Sequence, residues 1–139
     1  MSPDLQSATV KGGCLCRNVR FIAAGPSRVH YCHCGMCRRA TGSAFAVLAW
    51  VLASGLRWVG RMPPRHRRSS PLARRGFCPE CGTPLTLIYD SSPEDVALHL
   101  GVFDRPEDHA PAYHYGVEGR LRWVDCGEGL REYCTEERW

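Results

Sequence analysis

Residues 76–81 read Gly76-Phe77-Cys78-Pro79-Glu80-Cys81, and far upstream residues 13–16 read Gly13-Cys14-Leu15-Cys16. Each stretch offers two thiols from a tight turn, and four thiolates make a closed tetrahedral zinc site. Sixty-one residues separate the two pairs, which excludes a local zinc finger, whose halves lie much closer in sequence. A shared ion would instead tie an N-terminal strand to a strand late in the chain. Structural zinc binds with roughly 10–16 kcal/mol of apparent free energy, so Cys14, Cys16, Cys78 and Cys81 are expected to be needed for folding.

Between these pairs lies Cys32-His33-Cys34-Gly35-Met36-Cys37, with three sulfurs and no fourth nearby. In an extended Cys-x-Cys both sulfurs point to one side, and a turn through Gly35 and Met36 brings Cys37 back to the same ion. Two readings are open at this point. Three protein ligands leave a position where zinc does chemistry, and thiolate-rich zinc accepts a further sulfur. Alternatively a histidine from elsewhere, His30, His99, His109 or His114, closes the site. His33 is expected to project away from the metal, as a packed side chain or as a hydrogen-bonding partner of the ligand shell. Cys126 and Cys134 stand outside the clusters and read as lone thiols rather than ligands.

Periodicity around the clusters is short and strand-like. Val19, Phe21 and Ala23 alternate with Asn18, Arg20 and Ile22; Val29 and Tyr31 lead into the triplet; Ala44 to Leu52 is a mostly apolar run with the profile of a buried strand. Further strands are expected at Leu56 to Val59, Pro84 to Tyr89 and Val96 to Val102. Gly35 to Ala40 reads as a turn or two of helix stopped near Gly42. Tyr113 to Val117 and Leu121 to Val124 flank Glu118-Gly119 and suggest a last hairpin. The Arg-rich stretch from Arg61 to Arg75, punctuated by Pro63-Pro64 and Pro71, reads as an irregular loop or hairpin. It serves either as a clamp for an anionic substrate or as a solvated basic surface that offsets nearby thiolates. Residues 1–7 and the end from Cys134 onward are expected to be loose. No segment sustains a helical apolar pattern over three turns, so the fold class is mainly β, with residues 1–139 forming a single domain.

The 139 residues carry a formal charge of +4, which conceals a split. Residues 1–75 hold 13 Lys and Arg against one acid, and residues 76–139 hold five Arg against 13 acids. Such halves either present a face to an acidic partner or pair with each other. A basic patch for nucleic acid would carry exposed aromatics among its cations; Trp58 alone stands near the arginines, so nucleic acid is not the expected partner. No apolar run approaches the ~20 residues of a membrane helix. The N-terminus lacks the basic-then-apolar pattern of a secretory signal. A reducing, cytoplasmic location follows, where clustered cysteines serve as metal ligands rather than disulfides.

Gly13-Cys14-Leu15-Cys16, Val19-Arg20-Phe21, Cys32 to Ser43 and Gly76 to Leu85 together resemble the glutathione-dependent formaldehyde-activating enzyme family, which is grouped with the centromere protein V domain. The resemblance runs from about Val10 to Trp123, with all seven cysteines in order and spacing. It implies a β-tent fold of packed antiparallel sheets and two zinc ions per chain. It places a structural zinc on Cys14, Cys16, Cys78 and Cys81 and a labile, catalytic zinc on Cys32, Cys34 and Cys37. It further implies a carbon–sulfur lyase that condenses glutathione, or a related thiol, with formaldehyde to S-hydroxymethylglutathione. The centromere-protein branch keeps a different possibility open: a non-catalytic zinc module, or a glutathione carrier, that contacts protein or nucleic acid. Nothing in the sequence marks residues for the glutamyl or glycyl ends of glutathione.

Overall fold

The computed structural model describes residues 8–136. Two sheets form the body. The smaller has the order β1 (Thr9–Gly13), β2 (Arg20–Ala24) and β5 (Leu56–Trp58), all antiparallel. The larger contains β3 (Arg28–Cys32), β4 (Ala46–Leu52), β6 (Arg65–Ser70), β7 (Ala73–Phe77), β8 (Pro84–Tyr89), β9 (Asp95–His99), β10 (Tyr113–Tyr115) and β11 (Arg131–Tyr133). Its order is β11-β10-β3-β4-β9-β8-β7-β6. All its pairings are antiparallel except those of β10, which runs parallel to both β3 and β11. The mainly β expectation holds, and no helix among the described residues is long and apolar enough to cross a membrane.

The period of two along each strand divides the large sheet into two buried faces. Val29, Ala49, Val51, Ile88, Val96 and Leu98 face one way and pack with Val10, Phe21 and Ala23 of the small sheet. Trp58 and Phe103 meet the Phe21 ring edge-on at 5.9 and 5.7 Å, the geometry aromatic quadrupoles favour. On the opposite face Leu48, Trp50, Ala73, Leu87 and Ala97 pack with Cys32 and Cys37. Burial on both faces is why residues 46–51 of β4 are apolar almost without break.

One short helix, α1 (Gly35–Thr41), lies on this second face. It begins at Cys34, whose Sγ accepts the Cys37 N–H, and ends at Gly42 with φ 72°, a left-handed cap that costs glycine no Cβ clash. The helix and its stop therefore stand where the sequence puts them.

Of the two readings of the Arg-rich stretch the hairpin holds: β6 and β7 pair antiparallel over residues 65–77, with one register shift between Arg68 and Ser70. The hairpin expected over 113–124 does not form. Only Tyr113–Tyr115 becomes a strand, docked parallel on β3, and Val117–Gly119 is a 3-10 turn. Leu121 and Val124 are half-buried while Arg122 and Trp123 are exposed, so the segment has no apolar face to pair. Within the segment from Cys134 onward, expected to be loose, two residues are tied back: the Thr135 N–H donates to both oxygens of the Glu118 carboxylate, and the Glu136 N–H donates to the Tyr115 hydroxyl at 2.9 Å. Residues 1–7 and 137–139, also expected to be loose, lie outside the described residues.

Candidate metal centre and its cleft

The seven clustered cysteines gather into two groups, one of four sulfurs and one of three, with the ligand atoms of each group within 4.8 Å of one another. Cys14 and Cys16 leave the end of β1, and Cys78 and Cys81 form the turn between β7 and β8. The sulfur of Cys16 lies 3.5 Å from that of Cys14 and 3.7 Å from that of Cys78. Zinc with bonds of about 2.3 Å in tetrahedral geometry separates sulfurs by about 3.8 Å, so the spacing and the all-sulfur donor set fit that ion. Backbone donors orient the sulfurs: the Val19 N–H reaches Cys14 Sγ at 3.3 Å, and the Glu80 and Cys81 N–H groups each reach Cys78 Sγ at 3.4 Å. Gly82 at φ 80° closes that turn, with its N–H on the Cys78 carbonyl at 2.9 Å.

The triplet is built at the junction of β3 and α1. Cys32 is the last residue of β3, Cys34 caps the helix and Cys37 lies in its first turn. The sulfurs of Cys32 and Cys34 are 3.5 Å apart, again a distance that fits a shared zinc. Hydrogen bonds from the Cys32 and Cys37 side chains, with the Cys37 and Met36 N–H groups, pull the Cys34 thiol down to about 2; the same sharing pushes Cys32 up. Arg75 of β7 donates from Nη2 to Cys37 Sγ at 3.5 Å. Its guanidinium is buried, and Nη1 has no hydrogen-bond partner among the described residues. Within the stretch read as a clamp or a solvated surface, Arg75 thus faces the Cys37 sulfur, Arg68 pairs with Asp90 at 2.8 Å, and Arg61, Arg65, Arg67 and Arg74 are exposed.

No His, Asp or Glu joins either sulfur group among the described residues. None of the four histidines weighed as closing ligands lies in a sulfur group. His30 donates from Nδ1 to the Tyr31 carbonyl and accepts the Trp50 indole N–H at Nε2. His99 is buried, and burial with the nearby Arg75 charge holds its pKa down at about 4. His109 packs edge-on against Phe103. His114 donates to the Gly127 carbonyl, so its Nδ1 accepts from His33 Nε2 at 2.8 Å. His33 points away from the sulfurs as expected, stacks with Tyr31 and His114, and has no partner at Nδ1; burial lowers its pKa to about 4. Cys126 is half-buried beside Tyr31, Cys134 is exposed, and neither lies in a sulfur group.

A cleft of about 590 Å³ reaches the triplet at Cys32. Arg28, His30 and Cys32 alternate along β3, so all three line it, and the neighbouring strands add Leu48, Trp50, Tyr113 and Tyr115. Tyr89 and Leu72, with the polar Asp90, Ser91, Ser92 and Glu136, complete the wall. A smaller cavity of about 50 Å³ lies at Cys34 and shares Tyr89 and Tyr115 with the cleft. Sequence reasoning did not find these lining residues. The alternation of Arg28, His30 and Cys32 was a usable signal, but Trp50, Tyr89, Tyr113 and Tyr115 meet only through non-local strand pairing.

A family model described as glutathione-dependent formaldehyde-activating enzyme matches residues 9–118. A solved Rhodobacter sphaeroides protein from structural genomics is similar at 22% identity and a TM-score of 0.57, covering 88% of this chain and 98% of that one; at that identity it speaks to the fold. No curated protein matches the chain.

Proposed function

The chain belongs to the glutathione-dependent formaldehyde-activating enzyme family, and on that premise we propose that it is a zinc-dependent carbon–sulfur lyase joining glutathione, or a related thiol, to formaldehyde. The observation that carries this reading is the unequal pair of sulfur groups: four cysteines in one, and three in another that fronts a cleft. In the proposal Cys14, Cys16, Cys78 and Cys81 hold a structural zinc, and Cys32, Cys34 and Cys37 hold a second one. A zinc held by Cys32, Cys34 and Cys37 would lower the pKa of a thiol that reaches it.

The remaining work falls to the chain itself. The cleft lets a thiol approach the Cys32 side of the triplet, while Leu48, Trp50 and Tyr115 displace water from that end. Sulfur bonds to the carbonyl carbon, and the proton the thiol gives up ends on the carbonyl oxygen, so the step is an addition with no change of redox state. Three thiolates and a divalent ion sum to one negative charge, and the buried Arg75 guanidinium beside Cys37 balances it. His30 positions Trp50 rather than taking protons, because its two ring nitrogens are engaged by Tyr31 and Trp50. A thiolate-rich site needs a reducing compartment, which supports a cytoplasmic location. The non-catalytic alternative needs a closed triplet or an exposed patch of basic and aromatic residues; among the described residues no fourth His, Cys, Asp or Glu stands with the three sulfurs.

Exchange NMR with labelled formaldehyde and glutathione tests the proposal. The wild-type protein is expected to accelerate formaldehyde–glutathione exchange, and Cys34→Ser to return it to the uncatalysed rate with the fold retained. Equal rates with and without protein would remove the reaction.

A further inference from the structure

The wall of the cleft does not match glutathione or formaldehyde alone. Tyr113 stacks on His30 with centroids 4.8 Å apart and planes at 9°. His30 lies parallel to Trp50 within 11°, and Trp50 to Tyr89 within 12°. Four rings from β10, β3, β4 and β8 thus stand nearly parallel across the sheet, with Leu48 and Leu72 beside them. Formaldehyde has two heavy atoms, whereas 590 Å³ would hold on the order of 20 waters at ~30 Å³ each. Glutathione is large enough, but it is aliphatic and carries charges at both ends.

The charges of the cleft are placed unequally. Arg28 lies at the far end of β3 from Cys32, about 13 Å along the strand at ~3.3 Å per residue. Its guanidinium carbon sits 4.5 Å from the centre of the Trp50 ring, and it forms no ion pair among the described residues. Of the two acids on the rim, Asp90 is held by both terminal nitrogens of Arg68. Glu136 belongs to the Tyr115 side, since its N–H bonds the Tyr115 hydroxyl, and Tyr115 pairs with Cys32. The cation free to meet an anionic group therefore stands at the Arg28 end of the cleft, away from the triplet.

Resting on the thiol–aldehyde reading above, we propose that the substrate filling this cleft is a planar aromatic carboxylate. Its ring packs against the row of Trp50, His30, Tyr89 and Tyr113, its carboxylate meets Arg28, and its reacting group, aldehyde or thiol, points to Cys32. The addition keeps the same balance: one sulfur–carbon bond forms, and the thiol proton moves to the carbonyl oxygen. Offset or edge contacts to aromatic rings select a flat ring over an aliphatic chain, and the Arg28 fork selects carboxylate over an uncharged ring.

Calorimetric titration of the zinc-loaded protein tests this with 4-formylbenzoate and 4-mercaptobenzoate, against benzaldehyde, succinic semialdehyde and glutathione. At least one aromatic acid is expected to bind tenfold or more tightly than all three comparison ligands, and which one does so identifies the reacting group. In Arg28→Gln, an exposed position whose change leaves the core intact, the preference for 4-formylbenzoate over benzaldehyde is expected to vanish. Aliphatic ligands binding as tightly as the aromatic acids, or an unchanged preference in Arg28→Gln, would overturn the inference. Binding without glutathione–formaldehyde exchange would uphold the cleft and sink the lyase reading; exchange without aromatic binding would do the reverse.

Discussion

Arg75 buries a full positive charge against Cys37, and a buried charge stays put only where something opposite compensates it. The compensation would run both ways, since on the proposed zinc three thiolates would leave one negative charge for Arg75 to meet. Arg75→Met keeps much of the volume and removes the charge and its donors. Loss of such an outer partner usually costs 10–100-fold in metal affinity, and that weakening is expected at the triplet alone. Chelator competition that distinguishes the two bound ions checks it: the four-sulfur ion should be retained as in the wild type. Arg75→Lys should fall between, because it restores charge without the planar fork. At this scale the grouping of the seven cysteines was legible in the sequence, because turns fix their spacing over two to six residues. Arg75 was not. It is one arginine among six between Arg61 and Arg75, and only the alternation of β7, which buries Arg75 and exposes Arg74, separates them.

Elements differ in how they depend on the two sulfur groups. The four-sulfur group joins the end of β1 in the small sheet to the β7–β8 turn of the large one, so it clamps sheet to sheet. The triplet joins only β3 to the helix that follows it. Cys78→Ser is therefore expected to yield mostly insoluble protein, and Cys34→Ser soluble protein with native circular dichroism and one metal fewer by elemental analysis. Equal loss of folded protein in both variants would refute this division. Helix α1 supplies a gentler perturbation. A Cβ at Gly42 meets no atom within 4 Å, so Gly42→Ala costs only the left-handed backbone, about 1 kcal/mol. A drop in melting temperature of about 2–5 °C is expected for a domain this size. Helix, stop and most strands could be read from local pattern, because each carries its own cap or alternation. The hairpin over 113–124 could not: β10 takes its place through parallel pairing with β3, some eighty residues away, and local sequence does not record that choice.

Across the whole molecule the charge split resolves partly into pairing between the halves. Arg20 meets Asp104 and Arg68 meets Asp90 across it, although Arg105–Asp108 and Arg120–Glu132 stay within the acidic half. These pairs are solvent-accessible and each contributes at most about 1 kcal/mol, so the pairing shapes the surface more than it holds the fold. The cleft was illegible for the same non-local reason as β10, since its rings come from four strands. Stability against acid depends instead on buried neutral groups. His99 has a pKa held near 4 in the folded protein by burial and by Arg75, against about 6.5 in an unfolded chain. Between those values the unfolded chain binds a proton that the folded one refuses, so stability falls as pH falls. The contribution is fully present above pH 6.5 and lost progressively toward pH 4; by pH 5 the loss is about 2 kcal/mol. His99→Gln cannot take up that proton. Urea unfolding at pH 7.5 and pH 5.0 should show the wild type losing about 2 kcal/mol more than His99→Gln. The clustered cysteines are the same in both proteins, so the difference belongs to His99. If both lost the same amount, the proton would be entering elsewhere, and His99 would not be the buried neutral group on which acid stability turns.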